Sequence, residues 1–518
     1  MEAYKTLEAV DQFSPARAQF ESVVTRLRSV EVLGLEHAAV EALLDEEGRE
    51  ITRQLFQSHL ELRHLREQRA PVVGSDGVVR THVRESVRPL ATLFGPVVVV
   101  RDQVGARGET SLHPLDAELN LPPELQSHGV QRRIAEEAAK GSFDEVVKTM
   151  ESTTGAPVSK RQAELLSRRA AEDFDAYYEA RPAEQAAANA LLVLSCDGKG
   201  VVVRKEDLRE ATKKAARKGT HKLAKRLSKG EKRNRKRMAE VAAVYDVAPH
   251  VRTVEDVIAD LRPVHAVRPP RPRPKNKRVW ASVKKDLPEV IAELFDEAHR
   301  RDPEHARRWV ALIDGNVEQI RWIRDESKKR GVAVTLILDF IHVAEYLWKA
   351  AYSFLPESSP AAEAWVSHRL AEVLRGKSSA VAAGITRSAT LRKLPKVKRK
   401  AADKCAAYLV KNRPLLRYDE ALAAGLPIAT GVIEGACRHL VKDRMDITGA
   451  RWSLDGADAV LRLRALRSSG DFDEYWRFHL ARERDRNHLS RYADRTPRNV
   501  TPKLSTPAQK GHLRVVVE

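Results

Sequence analysis

LLVLSCDGKGVVVRK, Leu191 to Lys205, raises the question of why a carboxylate follows a buried apolar run. Four large apolar residues, then Ser195 and Cys196, deliver a single carboxylate, Asp197, onto Gly198-Lys199-Gly200, and three valines follow before Arg204 and Lys205. Short apolar runs bounded by glycine read as buried strands. The pattern predicts strands near 190–196 and 200–204 with a Gly-Lys-Gly turn between them. A third apolar run, MAEVAAVYDVAP, predicts a further strand near 238–247. Between the second and third lies KEDLREATKKAARKGTHKLAKRLSKGEKRNRKRM, residues 205–238, dense in Lys and Arg. Such an excursion from a sheet edge suits contact with phosphates, or it is a solvated charge run.

At 518 residues the chain is too long for one ordinary core and is expected to hold two to four domains. Lys and Arg number 91 against 72 Asp and Glu, a net charge of +19 and a pI near 9.8. That balance is the electrostatic footprint of a protein that binds a polyanion, with nucleic acid the expected partner. No apolar run reaches the roughly 18–20 residues of a membrane span, and MEAYKTLEAVDQF lacks the features of a secretory signal. A cytoplasmic protein with no membrane partner is expected. Cys196, Cys405 and Cys437 are far apart and form no C-x-x-C pair, which argues against a disulfide framework or a cysteine zinc site.

The expected class is mixed α/β. Residues 1–70 show apolar positions at three- and four-residue spacing and predict a helical region, and Val-rich runs punctuated by Gly and Pro over 71–125 predict a small β-ribbon. Over 126–182 a short helix ends at Thr154-Gly155 and Ser159 caps a second helix carrying Lys160, Arg161, Arg168 and Arg169. Helix, glycine turn and basic helix outline a helix-turn-helix, whose second helix can enter the major groove. Two surface helices with a solvated basic face are the alternative. The Pro/Arg segment 262–278 reads as an extended basic linker, and the residues from Val279 carry a helical period up to a strand in WVALIDG. A helix and a second strand, VAVTLILDF, complete a β-α-β order over a core segment 186–348. Residues 349–430 are helical and Ala-rich, 431–475 read as two helices around a turn, and 476–518 form a basic tail expected to be flexible.

Three carboxylates end or open an element whose other face is apolar: Asp197 after LLVLSC, Asp314 in LIDGN, and Glu434 in GVIEGACRHL. An Asp on a first long strand, an Asp after a later strand and a Glu on a late helix is the arrangement of an RNase H-like fold. In that arrangement the carboxylates hold two Mg²⁺ ions about 3.5–4 Å apart. Each also has a plainer reading: Asp-Gly is a common turn pair, and a first-turn Glu favours a helix dipole. In ILDFIHVAEYLW, Asp339 and His342 stand about one helical turn apart, as a metal pair or a structural hydrogen-bonded pair.

DGKGV, LIDGN, LDFIHVAEYLW and GVIEGACRHLVKDRMDITGARW, in that order, resemble the transposases of bacterial insertion sequences of the ISKra type. The resemblance spans about Thr92 to Tyr475, with TLFGPVVVVRD and HPLDAELNLP matching the N-terminal part. It implies DDE transposase chemistry on an RNase H-like domain interrupted by an all-α insertion, with Asp197, Asp314 and Glu434 as catalytic and metal ligands. Asp339 and His342 match the C-or-D-x-x-H motif of related groups, and 349–430 matches the insertion. Mg²⁺, with Mn²⁺ as a substitute, is the implied cofactor. The implied partners are double-stranded DNA, as element ends with inverted repeats and as target, and a second copy of the chain. Many DDE enzymes carry a Lys or Arg seven residues after the Glu, whereas position 441 is Val, with Arg438 and Lys442 beside it. Those two are the expected contacts to end DNA; Arg451 is a further expected DNA contact, and Trp452 either stacks on a displaced base or packs as core.

Competing classes make distinct demands. A tyrosine recombinase needs His-x-x-Arg, and His305/Arg308, His479/Arg482 and His488/Arg491 all match it loosely. A structure-selective nuclease of the same fold would cut without joining, and an inactive DNA-binding regulator would be indifferent to loss of Asp197.

Overall fold

The computed structural model describes residues 11–184, 186–217, 235–261, 271–429, 431–447 and 449–497. The chain divides into two compact units, one of Met1–Glu179 with Asp473–Glu518 and one of Ala180–Phe472. No helix among the described residues is long and apolar enough to cross a membrane. Within the basic excursion, residues 218–234 lie outside the described residues, as do 262–270 of the Pro/Arg segment and 498–518 of the tail.

The first unit opens with three helices, α1 (Ser14–Leu27), α2 (Val30–Leu33) and α3 (His37–Leu65), followed by a two-residue hairpin, β1 (Val72–Val73) with β2 (Val79–Arg80). A long antiparallel ribbon follows, β3 (His82–Thr92) against β4 (Gly95–Gly105), turning at Gly95, whose φ of 121° a side chain rarely adopts. After α4 (Pro114–Leu119), three helices share one core: α5 (His128–Lys140), α6 (Phe143–Thr154) and α7 (Lys160–Ala170). Val130, Ile134, Val146, Met150, Ala163 and Leu166 fill it. Ser142 and Ser159 each close a capping box at the start of α6 and α7, and Gly155, with φ of 63°, terminates α6. α8 (Phe174–Ala180) completes the N-terminal part.

The expected flexible tail is corrected over its first part. Residues 472–487 form a helix whose His479 and Glu483 are fully buried. His479 Nδ1 pairs with Asp173 at 2.8 Å, and Tyr475 donates to the Ala170 carbonyl at 2.7 Å. These buried polar partners explain the order of a segment that reads as basic and solvated by composition alone.

The second unit is built on a five-stranded sheet. Its strands are β5 (Leu191–Val202), β6 (Lys236–Val247), β7 (Lys275–Ser282), β8 (Trp309–Ile313) and β9 (Val334–Leu338), in spatial order β7-β6-β5-β8-β9. The three strands β7, β6 and β5 pair antiparallel, whereas β5, β8 and β9 are parallel. Helices α9 (Glu210–Arg217), α10 (Val254–Asp260), α11 (Leu287–Arg301) and α12 (Val317–Arg330) connect them. All five residues of β8 are buried, as a parallel strand flanked on both sides requires.

Two expectations change here. The chain does not turn at Gly198-Lys199-Gly200: β5 runs straight through it, pairing residue by residue with β6 from Leu191↔Val247 to Val202↔Lys236. The glycines serve another purpose. A Cβ on Gly198 would stand 2.8 Å from the Met238 methyl, and one on Gly200 2.8 Å from Lys236 Cδ, so their absence lets long β6 side chains cross the strand. Secondly, β7 occupies residues assigned to linker and helix. Only its last four residues are buried, so its basic first half has the texture of a linker.

From Phe340 the chain is helical: α13 (Phe340–Ala351), α14 (Pro360–Leu374), α15 (Ser378–Leu391), α16 (Lys396–Lys411) and α17 (Tyr418–Ala423). It returns to the sheet as α18 (Gly431–Ala436), which continues as a π-helix over Cys437–Lys442, and then α19 (Leu454–Ser469). α19 packs on β7, where Ser282 donates to Asp458 at 2.7 Å.

Candidate active site

The sheet register brings the acidic residues together. Ser195 on β5 pairs with Leu312 on β8, the last pair of that ladder, and Asp197 and Asp314 each follow two residues further on, so the register sets them level on neighbouring chains. Ile313 is likewise the partner of Leu338 on β9, which sets Asp314 level with Asp339. Three aspartates thus lie in a row where β8 and β9 end, Asp314 and Asp339 directly after those strands and Asp197 on β5, which runs on to Val202.

Local bonding then distinguishes them. Asp197 accepts the Gly198 N–H at 2.7 Å on Oδ1 and the Cys437 thiol at 3.2 Å on Oδ2. Asp314 accepts the Asn316 N–H at 2.8 Å, and Asn316 in turn accepts from Glu318 N–H at the start of α12. Asp314 is therefore a turn residue as well as a carboxylate on the acidic edge. Asp339 is buried and caps α13 through the Ile341 N–H at 2.8 Å, while its own N–H donates to the Ile313 carbonyl at 2.7 Å. That capping bond supports a structural role for Asp339; His342, half-buried, lies in the first turn of the helix it caps.

Glu434 is exposed in the first turn of α18, one turn before Cys437. The thiol bond to Asp197 docks this helix on β5, which carries Glu434 to the same side of the sheet. Burial pushes the Cys437 thiol up, and the Asp197 charge adds to it, with Glu434 a smaller contributor. The π-helical segment leaves carbonyls for other donors, and Arg464 of α19 takes those of Leu440, at 2.8 Å, and His439.

The set Asp197, Asp314 and Glu434 is looser than a closed cage. Among the described residues, groups of three metal-ligating side chains with ligand atoms within 4.8 Å of one another occur elsewhere, at His64/Glu67/Asp102 and Asp173/His479/Glu483. The donors at the sheet edge are all carboxylate oxygens, the chemistry that suits a hard dication which keeps several waters.

Four neighbours of the carboxylates are not singled out by sequence reasoning. Glu240 on β6 is the register partner of Gly198; burial pushes its carboxyl up, Arg209 opposes this, and Asp197 adds to it. Gln319 donates to the Cys196 carbonyl at 2.6 Å, Cys437 holds Asp197, and Tyr408 donates to the Asp314 carbonyl at 2.9 Å. Only the register of β6 would have pointed to Glu240, and no local pattern marks the other three.

The candidate DNA contacts divide in two. On α7, Arg161 and Arg168 are exposed, as is Lys160, which pairs with Asp144. Arg169 is withdrawn from that face: its guanidinium binds the fully buried Glu483 at 2.8 Å and Glu124 at 3.1 Å. Arg438 and Lys442 are exposed beside Glu434, with Arg438 3.9 Å from Asp443, and Arg451 is exposed. Trp452 takes the packing alternative. Its ring is buried under Arg444, its Nε1–H donates to the Met445 carbonyl at 3.1 Å, and its backbone bridges to the end of β5.

Compared with known proteins, the chain matches no family model and no curated protein.

Proposed function

We propose that the chain is a DNA transposase of the DDE kind, with Asp197, Asp314 and Glu434 as its catalytic carboxylates on an RNase H-like sheet. The observation that carries this reading is the register that sets Asp197 level with Asp314 across parallel β5 and β8, with the Glu434 helix docked on Asp197 through Cys437. The strand order, three antiparallel strands followed by two parallel ones with the first strand central, supports the RNase H-like assignment. The net charge of +19 supports a nucleic-acid substrate.

Asp197 and Asp314 would hold Mg²⁺ from the two strands and Glu434 from the helix. Bound there, the dication supplies a more acidic attacking oxygen and neutralises charge at the phosphodiester. The chain's own work is placement: the middle of β5 and the end of β8 present carboxylates side by side, and Arg438 and Lys442 stand beside Glu434 for the neighbouring phosphates. Water adds at the phosphodiester of the element end and releases a 3′-hydroxyl; that hydroxyl then attacks target DNA and displaces a second 3′-hydroxyl, so no bond to the protein is required. The helices α5–α7 read the end sequence through Arg161 and Arg168, and two copies of the chain hold the two ends.

Purified protein incubated with end-containing duplex DNA and Mg²⁺ or Mn²⁺ should yield both strands cut at the element end and joined products. Cutting with no joining would replace the reading with a structure-selective nuclease, and absence of any reaction would contradict it.

A further inference from the structure

The helical region between Asp339 and α18 reaches back to the acidic edge through two tyrosines. Tyr408 of α16 donates its hydroxyl to the Asp314 carbonyl at 2.9 Å, and Tyr418 of α17 donates to the Leu338 carbonyl at 2.8 Å. These are the carbonyls at the ends of β8 and β9, immediately at or before the edge aspartates. A strand-end carbonyl has left the sheet ladder and needs a donor.

The Tyr408 ring has little freedom. It stacks on Tyr346 of α13 with centroids 4.0 Å apart and planes 9° from parallel. At its hydroxyl end stands Gly315, with φ of 91°, where an added Cβ would stand 3.1 Å from Leu338 Cδ1 and 3.3 Å from Tyr408 Cε2 and hydroxyl. The Asp314-Gly315 turn is thus closed between Leu338 and a stacked tyrosine, and Gly is the residue that fits both the angle and the space.

We infer that Tyr408 is a positioning residue: its hydroxyl fixes the peptide plane of Asp314 and thereby the direction in which the Asp314 carboxylate meets a divalent cation. The inference rests on the proposed metal reading. It makes the helical region part of the catalytic edge, where its sequence suggests only a basic insertion. Groups that hold a ligating residue from behind usually change metal affinity when removed, and they leave the fold intact when the substitution is conservative. Tyr408→Phe keeps the ring stack on Tyr346 and removes only the hydroxyl.

The test is calorimetric titration of Mn²⁺ into the full-length chain without DNA, for wild type, Tyr408→Phe, Gly315→Ala and Asp197→Asn, with the melting temperature of each. The expected result is Mn²⁺ binding lost in Asp197→Asn and weakened by roughly 10-fold in Tyr408→Phe, with a melting temperature lowered in the latter by no more than one lost hydrogen bond costs, so that the protein is fully folded where binding is measured. Gly315→Ala, which crowds the same turn with the tyrosine intact, should show the same weakening. Wild-type affinity in Tyr408→Phe would overturn the inference and leave the metal reading standing. A weakening that merely follows a fall in melting temperature would assign the hydroxyl to stability alone and also overturn it. Mn²⁺ binding that is absent from the wild type, or that survives Asp197→Asn, would overturn the metal reading and the inference together.

Discussion

Glu297 on α11 shows how single residues hold the sheet that carries the site. Its carboxylate is fully enclosed and meets Arg278 of β7 at 2.5 Å, with Arg301 at 2.6 Å and Arg300 at 2.8 Å. Burial pushes its pKa up, but the attraction of Arg278, Arg301 and Arg300 outweighs it and draws the value from 4.5 to about 2. A folded value below the unfolded one stabilises the protein above pH 4.5, and that stability is lost as pH falls toward about 2. The shift corresponds to a contribution on the order of 3 kcal/mol. Glu297→Gln should therefore be clearly less stable than wild type at pH 7 by urea unfolding, and the gap should close between pH 4.5 and about 2. A gap independent of pH would show that the guanidinium cluster is not what holds the carboxylate. At the level of single residues the candidate carboxylates Asp197, Asp314 and Glu434 stand out in the sequence because each breaks or borders an apolar run. Cys437, Tyr408 and Glu240 were not readable, because their roles depend on what folding places beside them.

Among the elements, helices and buried strands were legible where periodicity was strong. Gly155 and Ser159 marked the end of α6 and the start of α7 because capping is a local interaction. β7 was not legible, since it is an edge strand with a basic half and takes its order from β6 and α19. The Gly198-Lys199-Gly200 segment misled for a related reason: glycine there makes room for Met238 and Lys236 and does not turn the chain. The α5–α7 group makes its own prediction. If the exposed face of α7 lies on DNA, Arg161→Ala and Arg168→Ala should each weaken binding and lower the slope of log affinity against log salt by about 1. Unchanged affinity and slope in both variants, measured by fluorescence anisotropy across a salt series, would take α7 off the DNA. Arg169→Ala should instead lower stability, because Glu483 would be left buried beside fewer partners.

For the whole molecule, the chain's positive charge and the acidic sheet edge have to be considered together. A protein of net charge +19 attracts a polyanion, and the carboxylates concentrated at one strand edge are where a dication would let the phosphodiester approach. Composition made the first half of that statement available from sequence. The second needed the register of β5, β8 and β9, which no spacing along the chain encodes. The central claim is that Asp197, Asp314 and Glu434 act as one catalytic group. Its most direct test sets wild type beside Asp197→Ala, Asp314→Ala, Glu434→Ala and Asp339→Ala on end-containing DNA with Mg²⁺ or Mn²⁺, scoring cleavage, joining and DNA binding. The first three variants should lose cleavage and joining by about 100-fold or more, as expected for a lost catalytic group, yet still bind DNA. Asp339→Ala, having lost a helix cap, should be weakened and less stable. Equal activity in all five proteins would contradict the carboxylate mechanism.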